Sequence, residues 1–90
     1  MRFALICTDK ADHIEIRKAN RDAHLAYIAN TGVVEMAGPF LDDGSLMSGS
    51  LVILEVEARA DAEAWAAADP YAKAGLFAKV RIEAWKKVIG

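Results

Sequence analysis

The stretch VVEMAGPFLDDGSLMSGSLVILEV, residues Val33–Val56, decides the fold, because it predicts two consecutive strands with no helix between them. Val33 to Leu41 reads as one strand, and Gly38-Pro39 within it indicates a bend or a position at a sheet edge. The turn-forming segment DDGSLMSG follows, and Leu51 to Val56 is a second apolar run. The stretch therefore predicts a hairpin with a long loop.

The segment before the hairpin predicts one strand and one long helix. Phe3 to Cys7 is an uninterrupted apolar run, as expected for a strand that is buried on both faces. Asp12, with Glu15 three residues later, has the pattern of a capping box at the start of a helix. Apolar residues then recur at helical spacing until Gly32, namely Ile16, Ala19, Ala23 and Tyr27.

The segment after the hairpin predicts a second helix and a last strand. Asp61 is expected to cap the helix that runs through AEAWAAA, because alanine has a high helix propensity. Phe77 to Trp85 alternates as a strand, with Ala78, Val80, Ile82 and Ala84 towards the helices. Phe77 and Trp85 are then expected on the opposite face, with Lys79, Arg81 and Glu83.

The order β-α-β-β-α-β predicts an α+β protein of the ferredoxin-like type, whose antiparallel sheet carries both helices on one face. The other face would remain uncovered, although several of its side chains are apolar. We therefore expect the sheet of a second copy to cover it, which makes the chain a homodimer.

Length and charge narrow the function. Ninety residues predict one domain, 1–90, and a net charge of −2 argues against binding to nucleic acid or to an anionic membrane. The apolar run at the N-terminus is too short for a signal sequence or a membrane span, so the expected location is the cytoplasm. Cys7 is the single cysteine and is expected to be a buried, reduced thiol.

The sequence predicts neither a metal nor a cofactor. Cys7, His13 and His24 lack the spacing of zinc ligands, and the glycines match neither a phosphate loop nor a dinucleotide-binding fingerprint. The serines near the hairpin loop do not lie in a nucleophile elbow, which argues against a serine hydrolase.

Asp69 lies in the segment DPYAKAG, which has the pattern of a short capped helix. A residue before proline is disfavoured in the helical conformation, so the second helix should end at Asp69 or just before it. Pro70 suits the first position of a new helix, Asp69 its N-cap, and Gly75 its left-handed C-terminal end. Asp69 is explained by this capping role alone, but a carboxylate that orients a catalytic histidine is the alternative.

His24 is the candidate for that histidine. It lies in the middle of the first helix at a polar edge, and its neighbours at helical spacing are Arg17, Asn20, Arg21 and Ile28. A surface or hydrogen-bonded histidine is the commoner case, yet a neutral imidazole held by a carboxylate is the usual general base near neutral pH. His13, at the start of the helix, reads as an ordinary exposed residue.

Three segments together resemble the YCII-related family: RDAHLAYI, AGPFLDDGSLMSGSLVILEVE and AADPYAKAGLF. The resemblance runs nearly end to end and implies a ferredoxin-like subunit that forms a dimeric α+β barrel, with a histidine-aspartate pair in a small pocket. By motif, the pair would be His24 and Asp69. Arg21, Tyr71, Pro39 and Ser50 are the substrate-binding candidates from the same motifs.

The resemblance also implies a class of reaction. A characterised relative is a dehydrochlorinase of a chlorinated hydroxyquinol, and related muconolactone isomerases share the barrel. We therefore expect a cofactor-independent lyase or isomerase that moves a proton on a small aromatic or lactone-like metabolite through His24 and Asp69. The alternative is a non-catalytic dimeric module that binds a small molecule or a protein, in which the pair only maintains a hydrogen bond.

Overall fold

A computed structural model describes residues 1–90. Its elements are β1 (Arg2–Asp9), α1 (Ile14–Thr31), β2 (Val34–Leu41), β3 (Met47–Glu55), α2 (Arg59–Ala68), α3 (Pro70–Lys73) and β4 (Phe77–Trp85). The strands form one antiparallel sheet in the order β2-β3-β1-β4. This order confirms the ferredoxin-like α+β fold predicted from the sequence. None of the helices combines the length and the apolar character needed to cross a membrane.

The core lies between the sheet and the helices. Its buried apolar side chains come from the two central strands and from α2, namely Phe3, Leu5, Cys7, Val52, Leu54, Ala62 and Trp65. Gly49 permits the close pairing of β1 and β3, because a Cβ atom there would lie 2.2 Å from the carbonyl oxygen of Cys7. The backbones of β1 and β3, the two central strands, can therefore pair closely at Gly49.

The C-terminal end of α1 packs against α2 through aromatic residues. The rings of Tyr27 and Trp65 lie with their centroids 4.8 Å apart. The Tyr27 hydroxyl donates to the carbonyl oxygen of Trp65 at 2.8 Å, and the Trp65 Nε1–H donates to the Thr31 Oγ1 at 2.9 Å. Each polar group of this contact thus has a partner inside the protein.

The start of α1 differs from the expectation. The helix begins at Ile14 after His13, and no side chain caps it, so the predicted capping box of Asp12 and Glu15 is wrong. Asp12 has a φ of 61°, which is a left-handed turn conformation and not the extended one of an N-cap residue. Gly32, by contrast, ends the helix with a φ of 67°, as predicted.

The buried side of α1 is polar over most of its length. Ile16 is 37% exposed and Ala19 and Ala23 are exposed, whereas Arg17 and His24 are only 3% and 6% exposed. The apolar spacing noted in the sequence therefore does not mark the buried side, and His24 does not lie at a polar edge. The helix can bury these polar groups because partners on β1, β3 and α3 bind them.

The prediction that Asp61 is the N-cap of the second helix is wrong, because Ala58 occupies that position, but the end of the helix is as predicted. α2 begins at Arg59, two residues before the predicted cap, and Asp61 accepts a hydrogen bond from the Ala58 N–H within the first turn. α2 ends at Ala68, and Asp69 caps α3 as predicted. Gly75 follows α3 with a φ of 74°.

The start of β4 corrects one more expectation. β4 spans Phe77–Trp85 as predicted, but the pairing with β1 shifts between Thr8 and Asp9, so that Asp9 pairs with Phe77. Ala78 is the extra residue of this bulge, and the side-chain alternation reverses there. Phe77 consequently packs against the core and not on the opposite face, while Ile82 packs against the core as predicted.

Candidate functional site

A cavity of about 150 Å³ lies between α1 and the β2–β3 hairpin. One stripe of α1 supplies five of its lining side chains, Arg17, Arg21, His24, Leu25 and Ile28. These residues share one side of the helix because they are spaced three, four and seven positions apart. The stripe therefore gives the cavity both its charged and its apolar lining.

His24 and Asp69 form a buried pair beside this cavity. The His24 Nδ1 lies 2.8 Å from the Asp69 Oδ1, and the side chains are only 8% and 4% exposed. A carboxylate accepts the Nδ1–H, so the lone pair lies on the Nε2. The Nε2 has no partner within the chain, and no buried side-chain nitrogen or oxygen is unsatisfied, so the Nε2 is accessible from the cavity.

Asp69 also caps α3. Its role as a helix cap and its contact with His24 both depend on one atom, the Oδ1. Its Oδ1 accepts the Tyr71 N–H at 3.0 Å as well as the His24 contact. Pro70 has no N–H to donate and starts the helix, so the N–H of Tyr71 is the first one that the cap can satisfy. The cap therefore also fixes the carboxylate against the imidazole.

Tyr71 is stacked on His24. The ring centroids are 3.9 Å apart and the planes are inclined by 16°, while Phe77 meets Tyr71 edge-on at 6.1 Å. The guanidinium of Arg17 lies over the Tyr71 ring, with its Cζ 4.8 Å from the centroid. Burial raises the pKa of Tyr71, and the positive charges of Arg17 and Arg21 partly offset this increase.

Arg17 is a buried residue of the site that the motifs did not identify. It donates to the two carboxylate oxygens of Asp9 at 2.7 and 2.8 Å, and to the Ser50 Oγ at 2.9 Å. Burial alone would lower the pKa of Arg17, but the hydrogen bonds and charge of Asp9 raise it above its ordinary value. The available signal was its spacing, because it lies seven positions before His24 on the same side of α1.

The structure brings the candidate residues of the sequence together. Arg21, Tyr71, Pro39 and Ser50 line the cavity with His24, and Asp69 lies behind His24. Ser50 is 3% exposed and its Oγ accepts a hydrogen bond from Arg17, so this bond fixes the position of the Ser50 side chain in the cavity lining. Arg21 is exposed and forms no ion pair.

The other titratable residues do not add to this group. His13 lies in a separate surface cavity with Asp9 and Lys10. No cluster of three or more histidine, cysteine, aspartate or glutamate residues is placed to hold a metal ion. Cys7 is buried, and burial raises its pKa to about 12, so the thiol is protonated at neutral pH.

The chain matches proteins of one family over nearly its whole length. The model of the YCII-related domain matches residues 1–86, which confirms the resemblance found in the sequence. The protein YciI of Escherichia coli O6:H1 is 39% identical over 97 aligned residues, which cover 98% of this chain and 99% of that protein. An uncharacterised protein of Haemophilus influenzae is 33% identical over the same shares.

Solved structures similar to this fold include a dehydrochlorinase and a monooxygenase. The 5-chloro-2-hydroxyhydroquinone dehydrochlorinase TftG of Burkholderia phenoliruptrix AC1100, in complex with 2,5-dihydroxybenzoquinone, superposes with a TM-score of 0.86. It is 34% identical, and the match covers 96% of this chain and 94% of that chain. An antibiotic biosynthesis monooxygenase has a TM-score of 0.60 at 12% identity and covers 98% of both chains, so it shares the fold alone.

Proposed function

The chain belongs to the YCII-related family, and we propose that it is a small cofactor-independent enzyme that moves a proton on its substrate. His24 is the general base and Asp69 is the residue that orients it. The observation that carries this proposal is the 2.8 Å contact between the His24 Nδ1 and Asp69, which leaves the Nε2 free at the cavity. The 34% identical neighbour, a dehydrochlorinase, supports a lyase among the proton-transfer reactions.

The proposed step needs only groups of the chain. The His24 Nε2 takes a proton from an acidic O–H or C–H of the substrate, and the Asp69 carboxylate stabilises the imidazolium that forms. In a lyase, the imidazolium returns the proton to the ring carbon that bears a leaving group such as chloride. Transfer of a second hydroxyl proton to His24 then expels the chloride with its bonding electrons, so that the substrate loses HCl in total. In an isomerase, the imidazolium returns the proton to another carbon.

The proposed substrate is a single ring, aromatic or lactone-like. A cavity of about 150 Å³ is comparable in size to cavities that hold one benzene molecule. Half of the lining residues are apolar, and the hydroxyl of Tyr71 and the nitrogen of His24 supply polar contacts. A larger substrate would have to extend from the cavity into solvent.

The test is chloride release from 5-chloro-2-hydroxyhydroquinone under nitrogen, so that oxidation by air does not contribute. We expect turnover by the wild-type protein and a loss of about 10²- to 10⁴-fold in His24→Gln, the usual contribution of a general base. His13→Gln is the matched control, because His13 lies outside the site, and it should keep the wild-type rate. Equal rates in His24→Gln and His13→Gln would rule out His24 as the base.

One observation favours the alternative of a non-catalytic binding module. The Asp69 carboxylate satisfies the first turn of α3 whether or not a reaction occurs. In that case His24→Ala would lower the melting temperature, and no proton-transfer probe, including a muconolactone, would be turned over by the wild-type protein. Turnover that is lost in a folded His24→Gln variant contradicts the alternative.

We propose, in addition, that the chain functions as a homodimer in which a second sheet covers the open face. Met36, Phe40 and Trp85 lie on this face with exposures of 49%, 40% and 39%. Exposed apolar side chains grouped on one face are typical of an interface. Light scattering after size-exclusion chromatography should give twice the chain mass, and Phe40→Asp should shift the mass towards that of one chain.

A further inference from the structure

The cavity is polarised along α1. Arg17 and Arg21 line the end near the start of the helix, and Leu25 and Ile28 line the other end. His24 lies between the two groups, one turn after Arg21 and one turn before Ile28. A ligand that contacts His24 therefore has a charged side chain on one side and apolar side chains on the other.

The sheet repeats the same order between Ser50 and Val52, and Met47 lines the cavity beyond Ser50. Ser50 pairs with Pro39 and with Cys7, near the Asp9 that holds Arg17. Val52 pairs with Ala37 and with Leu5, two residues closer to the start of β1. Because α1 runs back along β1, the hydroxyl of Ser50 lies at the arginine end of the cavity and Val52 lies at the apolar end.

The charge that faces the cavity is positive. Asp9 neutralises Arg17 through two hydrogen bonds, whereas Arg21 has no carboxylate within ion-pair distance and no hydrogen bond within the chain. Both nearby carboxylates, Asp9 and Asp69, lie outside the cavity lining, bound to Arg17 and to His24. Arg21 is thus the cation of the lining whose charge remains available to a ligand.

We propose that the ligand of this cavity is an anion with one ionised oxygen on a single ring, and that Arg21 binds that oxygen. The ring then extends from Arg21 past the Nε2 of His24, and its apolar edge contacts Leu25 and Ile28. An ionised oxygen also disfavours the reverse orientation, because at the apolar end it would face Leu25 and Ile28 and would lose its contact with Arg21. This inference rests on the proposed function for the identity of the cavity as the substrate site.

Benzoate and benzamide test the inference, because they have nearly the same shape and differ by one negative charge. Binding is followed by the chemical shifts of the His24 ring protons during titration with each compound. We expect benzoate to bind at least tenfold more tightly than benzamide, and Arg21→Gln to remove this preference. Lys18→Gln is the matched control: it removes one positive charge from α1, but Lys18 is exposed and does not line the cavity.

Each result decides the inference. Equal affinities for the two compounds, no binding of benzoate, or an equal loss in Lys18→Gln would overturn it. A preference for benzoate that depends on Arg21 supports it even if no turnover is found, in which case the proposed reaction fails and the anion site stands. Turnover that depends on His24 without a preference for benzoate gives the opposite result, since the reaction stands and the inference fails.

Discussion

The two ends of α1 differ in how completely the polar side chains on one side of the helix are hydrogen-bonded. Near the C-terminal end, Tyr27 and Thr31 meet Trp65 of α2, and the phenol and indole groups both donate to partners within the chain. One turn earlier, His24 is as buried as Trp65, at 6% exposure, but only one of its ring nitrogens has a partner. Arg21 next to it has none.

The difference lies in how completely the buried polar groups are hydrogen-bonded within the chain. A buried polar group is stabilising when its hydrogen bonds are complete, and it costs free energy when an atom remains unsatisfied. The hydrogen bonds of the Tyr27–Trp65 contact are complete, so this contact stabilises the core. The His24–Asp69 pair is complete on the protein side and open on the cavity side, as expected of a base that must accept a proton from a ligand.

The largest expected effect on stability is at the closed end. Trp65→Ala should lower the free energy of unfolding by about 3–5 kcal/mol, because it removes a large buried side chain and leaves a cavity. Urea denaturation measures this change. Tyr27→Phe, which removes only the hydrogen bond to the Trp65 carbonyl, should cost about 1 kcal/mol. Equal costs for the two variants would show that packing at this end is not what stabilises it.

The buried pair of Arg17 and Asp9 should have the next largest effect. Arg17→Met leaves the Asp9 carboxylate buried without its partner, and we expect a loss of about 3 kcal/mol in the free energy of unfolding. Asp9→Leu combined with Arg17→Met should recover most of that loss, because no unpaired charge remains. If the costs of the two substitutions simply add, the pair is not coupled and this account of Arg17 is wrong.

Alkaline pH should destabilise the protein through groups that burial keeps protonated. Burial raises the pKa of Cys7 to about 12, whereas an unfolded cysteine ionises near about 8.5. The contribution is therefore complete below about pH 8.5 and is lost as the pH rises towards 12, by up to about 1.4 kcal/mol per pH unit. Burial also raises the pKa values of Tyr27 and Tyr71, which adds to the trend.

Cys7→Ala separates the cysteine from the tyrosines in this prediction. Urea denaturation at about pH 8 and about pH 10 should show a smaller loss of stability in Cys7→Ala than in the wild-type protein. An identical loss in both proteins would mean that the thiol does not contribute.

The sequence predicts best what is determined locally. The end of α2, the Asp69 cap and the bounds of β4 follow from Pro70, from Gly75 and from strand alternation, which act within a few residues. The group around the cavity was found through motifs, and the structure places those residues together.

The features that the sequence does not show arise from contacts between elements that are distant in the chain. An arginine is rarely buried without a partner, and the partner of Arg17 is in β1, which the pattern of α1 does not reveal. The bulge at Ala78 arises from the pairing of β4 with β1, so the alternation within β4 alone placed Phe77 on the wrong face. Aspartate is a common N-cap residue, but the left-handed backbone conformation of Asp12 places it in the turn before the helix.

The smallest change in stability is expected for Asp69→Asn, a substitution that should nevertheless change the reactivity of His24. Asparagine caps a helix about as well as aspartate, so Asp69→Asn should alter the free energy of unfolding by less than about 1 kcal/mol, whereas Asp69→Ala should cost more. The Oδ1 of Asn can still accept both the Tyr71 N–H and the His24 Nδ1–H, because one oxygen makes both contacts, but the neutral amide no longer stabilises the imidazolium that forms when His24 takes a proton.

Chloride release from 5-chloro-2-hydroxyhydroquinone, measured beside urea denaturation, reads this difference, with His13→Gln as the control. A large loss of turnover in Asp69→Asn without a change in stability would show that the carboxylate is needed for the imidazolium and not for the helix. If turnover is unchanged in Asp69→Asn and only Asp69→Ala lowers the stability, Asp69 acts as a cap. The open end of α1 then differs from the closed end only in lacking a second hydrogen bond, and the binding-module interpretation becomes the better one.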